Sequence, residues 1–447
     1  MLVVYLLISV MLIVLLTVRF KVHPFIALLL VALMYGFAAG MPAEQIIASV
    51  NEGFGKTLGG IGLIIILGVI IGTFLENSGG AMAIAAKVLS LVGKKRVAPA
   101  MGGIGYFVSI PVFADSAFLL LSPLNKSLTK KAKLSLAGTA IALSLGVTAS
   151  HTMVPPTPGP IAAAGILGAD LGLVLLVGLP VSIIALMVGI LFATKYAART
   201  NIDPDAAMLT STSEAEALHY DADSAPSVLK STLPIGVPIL LIVAKSLVVA
   251  LGAPENVMTN AIQFLGEPFI ALLIGVFLSL LLPKHLNRDM LSCNGWVGKA
   301  MANCASILLI TGAGGIFGKM LQNSGIAQLL GDAFVDLNAG ILLPFLIAAA
   351  IKTAQGSSTV ALITTASIIS PLMASLGFTE SLEKAMVVIA IGAGSAVVSH
   401  ANDSFFWVVT QMSGMDVKTG YRLQSLGTFV LGASAISCLL IAHSLLF

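Results

Sequence analysis

Long apolar runs separated by short polar breaks dominate this 447-residue chain. They fall at roughly 2–18, 24–40, 58–74, 134–167 and 171–196, and again at 233–251, 268–282, 300–320, 385–409 and 426–447. Stretches of about 17–25 apolar residues match the ~30 Å hydrocarbon core of a bilayer, so each run is read as a membrane-spanning helix. Two runs cannot be continuous. Between 134 and 167 stands SHTMVPPTPGP, with Pro155, Pro156, Pro158 and Pro160. Proline lacks the N–H donor and clashes with the preceding turn. Between 385 and 409 the polar stretch Ser399-His400-Ala401-Asn402-Asp403 interrupts in the same way. Non-helical backbone survives at membrane depth only where protein buries it or where it lines a watery cavity. Paired breaks in corresponding halves are the sequence sign of a secondary transporter.

The halves repeat one another. PFIALL occurs at 24–29 and at 268–273, Gly55-Lys56 returns as Gly298-Lys299, and LENSG at 75–79 returns as LQNSG at 321–325. Ser122-Pro123-Leu124 matches Ser370-Pro371-Leu372, and Ser150-His151 matches Ser399-His400. Matches in one order with a slowly drifting offset indicate an internal duplication. The repeats are residues 1–196 and 232–447, joined by the acidic polar linker 197–231. Between the third and fourth run of each half lies an interrupted apolar stretch, 98–124 broken at Ser109-Ile110-Pro111 and 339–372 broken at Gln355-Gly356-Ser357-Ser358-Thr359. Each arm reaches only about 16–25 Å as helix, short of the core. These are read as re-entrant hairpins, the alternative being pairs of short tilted spans. The expected fold is therefore an all-α polytopic membrane protein of two inverted repeats, each with five transmembrane helices plus one re-entrant hairpin.

Composition agrees. The chain is 57% hydrophobic and 10% charged, against about 25% charged for a soluble domain. No basic, aromatic-interleaved patch points to nucleic acid. The run at 2–18 has no charged start or small-residue cleavage site and is expected to remain as a helix rather than a signal peptide. Cys293, Cys304 and Cys438 have neither metal spacing nor a disulfide framework, so no metal or cofactor is expected. The net charge of +3 matters less than its distribution. With the N-terminus outside, inner loops are expected to hold Arg19, Lys21, Lys87, Lys94, Lys95, Arg96, Lys126, Lys130, Lys131, Lys133, Lys195, Arg199, Lys230, Lys284, Arg288, Lys299, Lys418 and Arg422, whereas outer loops hold only Lys56, Lys319 and Lys384. Positive charge stays inside, so both termini are expected outside.

Four motifs carry a family resemblance: HTMVPPTPGP at 151–160, GAGGIFGKMLQNSG at 312–325, QGSSTVALIT at 355–364 and VVSHANDSFFWV at 397–408. Together they resemble the gluconate permease family, within the ion-transporter superfamily of inverted-repeat elevator carriers. The resemblance implies a bacterial inner-membrane carrier for gluconate or a related small hydroxy or sugar acid, driven by proton symport. Other carboxylates such as D-serine or glycerate, and sodium coupling, are the alternatives. It also implies that hairpins and broken helices form a moving transport domain, while the remaining spans form a homodimeric scaffold in the lipid.

A carboxylate ligand suits the local physics. Four helix N-termini are expected to converge, with the second hairpin arms starting at Pro111 and Thr359 and the broken spans resuming near Pro160 and Asp403. Free N–H groups and a partial charge of about +0.5 favour anions there. Ser109, Ser358 and Asn402 are expected caps. Ser109, Thr152, Thr157, Ser357, Ser358 and Thr359, with Gly356 at the tip, are expected to meet ligand hydroxyls or to serve as local caps. Asp115 stands among Phe113, Phe118 and Leu119. A carboxylate at membrane depth costs ~2.5–3.5 kcal/mol on insertion scales, so it is read as ion-coupling, or as the partner of a buried donor. Burial in general favours the protonated form of a carboxyl group. Asp403 is read as a second coupling carboxylate or a helix cap. His151 and His400 are read as proton gates or as partners of the unwound backbone. Lys352 is read as a counter-charge to the substrate or to an acid, and Lys245 as a scaffold lysine that snorkels or pairs. A channel, or an intramembrane hydrolase using Ser395 or Ser399 with His400, are the rivals. Neither a pore-lining charge ring nor a nucleophile elbow supports them.

Overall fold

The computed structural model describes residues 2–92, 96–204, 226–326 and 340–446, and every regular element in them is helical. Most of the acidic linker, residues 205–225, lies outside the described residues, as do Lys94, Lys95 and residue 339 at the expected start of the second hairpin. The first half runs α1 (Leu2–Val18), α2 (Pro24–Ala38), α3 (Ala43–Asn77), α4 (Gly80–Val92), α5 (Val97–Ser109), α6 (Ala114–Lys131), α7 (Leu136–Met153), α8 (Pro158–Leu167) and α9 (Leu171–Lys195). The second runs α10 (Val228–Ala250), α11 (Val257–Leu265), α12 (Pro268–Ser279), α13 (Trp296–Asn323), α14 (Leu342–Gln355), α15 (Ser358–Ile369), α16 (Ser381–Ala396) and α17 (Ser404–Met412). The last helix, α18 (Leu426–Leu446), is entered through a helical turn at Val417–Gly420 and a π-helical turn at Tyr421–Ser425.

Both expected breaks are present, at 154–157 between α7 and α8 and at 397–403 between α16 and α17. Corresponding elements also start and stop alike. α2 and α12 each open on proline at the first helical turn, where a missing N–H costs nothing. α3 and α13 each end in Asn-Ser-Gly, the glycines lying at φ 78° and 77°. Two boundaries differ from expectation. α3 is a continuous 35-residue helix beginning at Ala43, well before the apolar run, because its polar first turns pack or face water instead of ending the helix. The short helices α4 and α11 lie between the expected spans. By length and composition alone, 6 described helices suffice to cross a membrane, or up to 7 if the bent pair α11–α12 counts as one span.

Packing is reciprocal. α3 lies along α13, α2 packs on α13 while α12 packs on α3, and α9 packs on α18. α5 packs on α7 as α14 packs on α16. α8 leans on the second hairpin arm α15, and α17 on the first hairpin's arm α6. Each half thus supplies the partner for the other's broken span, which brings both hairpin tips and both breaks together.

Candidate functional site

The tips start their second arms later or earlier than the sequence suggests. In the first, Pro111, Val112 and Phe113 remain outside the helix, which begins at Ala114 after Phe113 at φ −58° and ψ 145°. Ser109 is the last residue of α5 and is buried. Its Oγ donates to Val112 O at 3.1 Å, so it closes the turn and does not cap α6. A β-carbon on Gly72 of α3 would come within 1.9 Å of Pro111 O, so only glycine lets this tip dock. In the second hairpin Ser357, not Ser358, is the cap, its Oγ accepting from Val360 N–H at 3.3 Å. Gly356 has φ 91°, and a β-carbon there would strike Asn402 O. The second tip is therefore locked on the second break. Asn402 is not the cap of α17 either; its Nδ2 donates to Thr353 O and Ala354 O, both at 2.9 Å.

Asp403 takes the capping role. Its Oδ1 accepts from Phe405 N–H at 3.1 Å. Its Oδ2 accepts from Lys352 Nζ at 2.7 Å and from Ser399 Oγ at 2.5 Å. Lys352 also donates to Gly356 O. This pair is buried, the two side chains being 2% and 8% exposed. The break is held from behind, where Ser399 N–H donates to Thr428 Oγ1 at 3.0 Å and Ser425 Oγ donates to Ser399 O. Asp115, in the first turn of α6, accepts from Ser404 Oγ at 3.3 Å and has no ion-pair partner within 4 Å among the described residues.

Between these elements opens a cavity of about 480 Å³. Of the expected residues it is lined by Asp115, His151, Thr152, Lys352, Gly356, Ser357, Ser358, Thr359, Asn402 and Asp403. Ser109, Thr157 and His400 do not line it. Thr157 Oγ1 donates to Val154 O at 2.6 Å and stabilises the first break. His400 Nε2 pairs with Thr353 O at 2.7 Å, and its ring stacks on Tyr421. That is the backbone-partner alternative for this histidine. Three helix N-termini open to the cavity, those of α6, α15 and α17. The fourth, at Thr157 and Pro158 of α8, faces a small separate pocket on the far side of His151, with room for about one water. His151 lines both spaces, and its Nδ1 has no partner among the described residues.

Ser399 of the second break lines it too, and the cavity also contains residues that the sequence did not suggest: His23, Thr148, Ser306, Ile307, Ile310 and Ser404. No break marks His23, just ahead of the run 24–40, or Ser306, within the run 300–320; they reach the site through the packing of α2 on α13. Elsewhere, Lys245 pairs with Glu267 at 2.5 Å, and all three cysteines are free thiols. No hydrogen bond joins Ser395 or Ser399 to the His400 ring; Ser395 Oγ donates to Gly392 O.

Apolar helices that cross a bilayer, two of them broken around one polar cavity, define a membrane transporter. The YdaH transporter of Alcanivorax borkumensis has this fold, at TM-score 0.64 with 14% identity, over 94% of this chain and 98% of that one. The chain belongs to the GntP permease family, whose family model matches residues 1–445. It is 35% identical to a gluconate permease of Pseudomonas aeruginosa, over 92% of this chain and 90% of the relative. It is 33% identical to the inner membrane permease YgbN of Escherichia coli, over 95% and 94%. It is 32% identical to the D-serine transporter DsdX of Escherichia coli, over 97% and 96%. The protein is accordingly a multi-pass inner-membrane permease, and not an enzyme.

Proposed function

We propose that the protein is a proton-coupled secondary transporter that takes up gluconate or a related small hydroxy or sugar acid. One observation carries this reading. A single cavity holds the open N-termini of α6 and α15 beside Asp115, a carboxylate with no ion-pair partner within 4 Å among the described residues. No side chain caps α6, and in α15 the Ser357 cap engages Val360, leaving the N–H groups of Ser358 and Thr359 for a ligand. A substrate carboxylate fits these donors. Lys352 is already matched by Asp403, so this pair shapes the tip and leaves the cavity's charge to Asp115. A substrate anion near a charged Asp115 is repelled in this low-dielectric space. A proton on Asp115 removes that repulsion, so proton and anion each favour the other's binding, as linkage requires.

The reciprocal packing of the halves supports an inverted repeat. In this reading the hairpins, the broken spans, α9 and α18 form the moving body of an elevator. The helices α1–α3 and α10–α13 form its scaffold, in a homodimer with both termini outside. A second cargo has its own support. An unpaired Asp115 would equally complement the ammonium of an amino acid such as D-serine.

The test is uptake of labelled gluconate into proteoliposomes with an imposed inward proton gradient, challenged by unlabelled glycerate, D-serine and other acids. Accumulation should collapse with the gradient and be suppressed by related hydroxy acids. Uptake that ignores the gradient, or that only D-serine suppresses, would overturn the proton-coupled gluconate reading.

A further inference from the structure

One wall of the cavity is unlike the rest. Tips and breaks build most of it, but His23, Pro24, Ser306 and Ile307 belong to α2 and α13. There His23 Nε2 lies 3.1 Å from Ser306 Oγ. Phe25 N–H donates to His23 Nδ1 at 3.3 Å, because His23 is the N-cap of α2. A neutral imidazole accepting at Nδ1 must carry its proton on Nε2, so His23 donates to Ser306. Most helical serines and threonines here return their proton to a carbonyl a turn earlier, as Thr311 does to Ile307 O and Thr73 to Val69 O. Ser306 has no such bond among the described residues; His23 is its partner. Its own hydrogen and a remaining lone pair therefore stay available towards the cavity.

We infer that His23 and Ser306 form a distal subsite that binds the hydroxyl-bearing end of a polyhydroxylated acid whose carboxylate sits at the tips. This rests on the proposed carboxylate site. A six-carbon acid held at one end by α6 and α15 extends its remaining hydroxyls into the cavity, where a fixed donor and an uncommitted hydroxyl complement them. A three-carbon acid fills only the tip end. The pair would thus set chain-length preference, and a hydroxyl site of this kind rejects analogues that leave it unpaired.

The experiment measures gluconate and glycerate binding to the purified full-length protein and to Ser306→Ala and His23→Asn. Asparagine keeps the helix cap, and Ser306→Ala leaves the cap untouched, so either variant keeps α2 in place. The affinity ratio of gluconate to glycerate should fall about three- to tenfold in each variant, the usual worth of one lost hydrogen bond. An unchanged ratio in both variants, whether the two affinities hold or fall together, would overturn the distal subsite and leave the tip site intact. Binding of neither acid by the wild-type protein would remove the carboxylate site, and the subsite with it.

Discussion

The Lys352 ammonium is 2% exposed and sits one turn from a hairpin tip. Without Asp403 it would be an uncompensated buried charge. Removing one partner of such a pair typically costs about 3–5 kcal/mol, whereas replacing both is far milder. Lys352→Met alone should therefore lower the melting temperature of the purified protein sharply, and adding Asp403→Asn should restore much of it. Additive losses in the double variant would mean that the pair is not coupled. Asp115 has no such partner among the described residues, so Asp115→Asn should leave stability and ligand exchange nearly intact while abolishing uphill accumulation. Proton-driven accumulation surviving in that variant would remove Asp115 from the coupling step. These three charges were legible because a charge in an apolar run stands out. Ser109, Thr157 and His400 bond the local backbone outside the cavity, the alternative role their place in the sequence allowed, for a physical reason: next to a break, hydroxyls and rings find unpaired carbonyls before they find ligands.

At the scale of elements, the breaks were easier to read than the helix ends. Four prolines destroy a helix whatever surrounds them, so 154–157 was marked by composition alone. The exact start of each second arm was not, since it depends on whether Phe113 or Ser357 adopts extended backbone, and packing against α3 and the second break decides that. The tips now invite a steric test. Ser358 is half-buried in the first turn of α15 and faces the cavity. Ser358→Phe should eliminate ligand binding while the protein stays monodisperse, and Ser358→Ala should weaken binding by about 0.5–1.5 kcal/mol. Wild-type affinity in the phenylalanine variant would move the ligand away from this tip.

For the whole molecule, matched words in the sequence pointed to a repeat, but not to how the two halves would pack. That α8 leans on α15 and α17 on α6 is a tertiary fact without a sequence signature. The proposed orientation has a direct check. In a cysteine-free background, single cysteines at Glu44 and Glu255 should react with an impermeant reagent added to intact cells, and ones at Lys131 and Lys284 should not. All four positions are exposed. Labelling of the second pair from outside would reject the orientation with both termini out.

The matched Lys352–Asp403 pair carries a final consequence, an electrical one. Because the two charges cancel, the charge that changes in the cavity during the cycle is that of Asp115 and the cargo. Loaded with a monocarboxylate and with Asp115 protonated, the site carries one negative charge; returning empty with Asp115 ionised, it carries one again. Each full cycle then moves no net charge, although a single uncompensated charge would be worth about 2.3 kcal/mol per 100 mV. Gluconate uptake should therefore follow the pH difference and ignore an imposed potassium diffusion potential. A steady transport current on substrate addition would mean that a second proton travels, and His151, between its two spaces, is the group to examine.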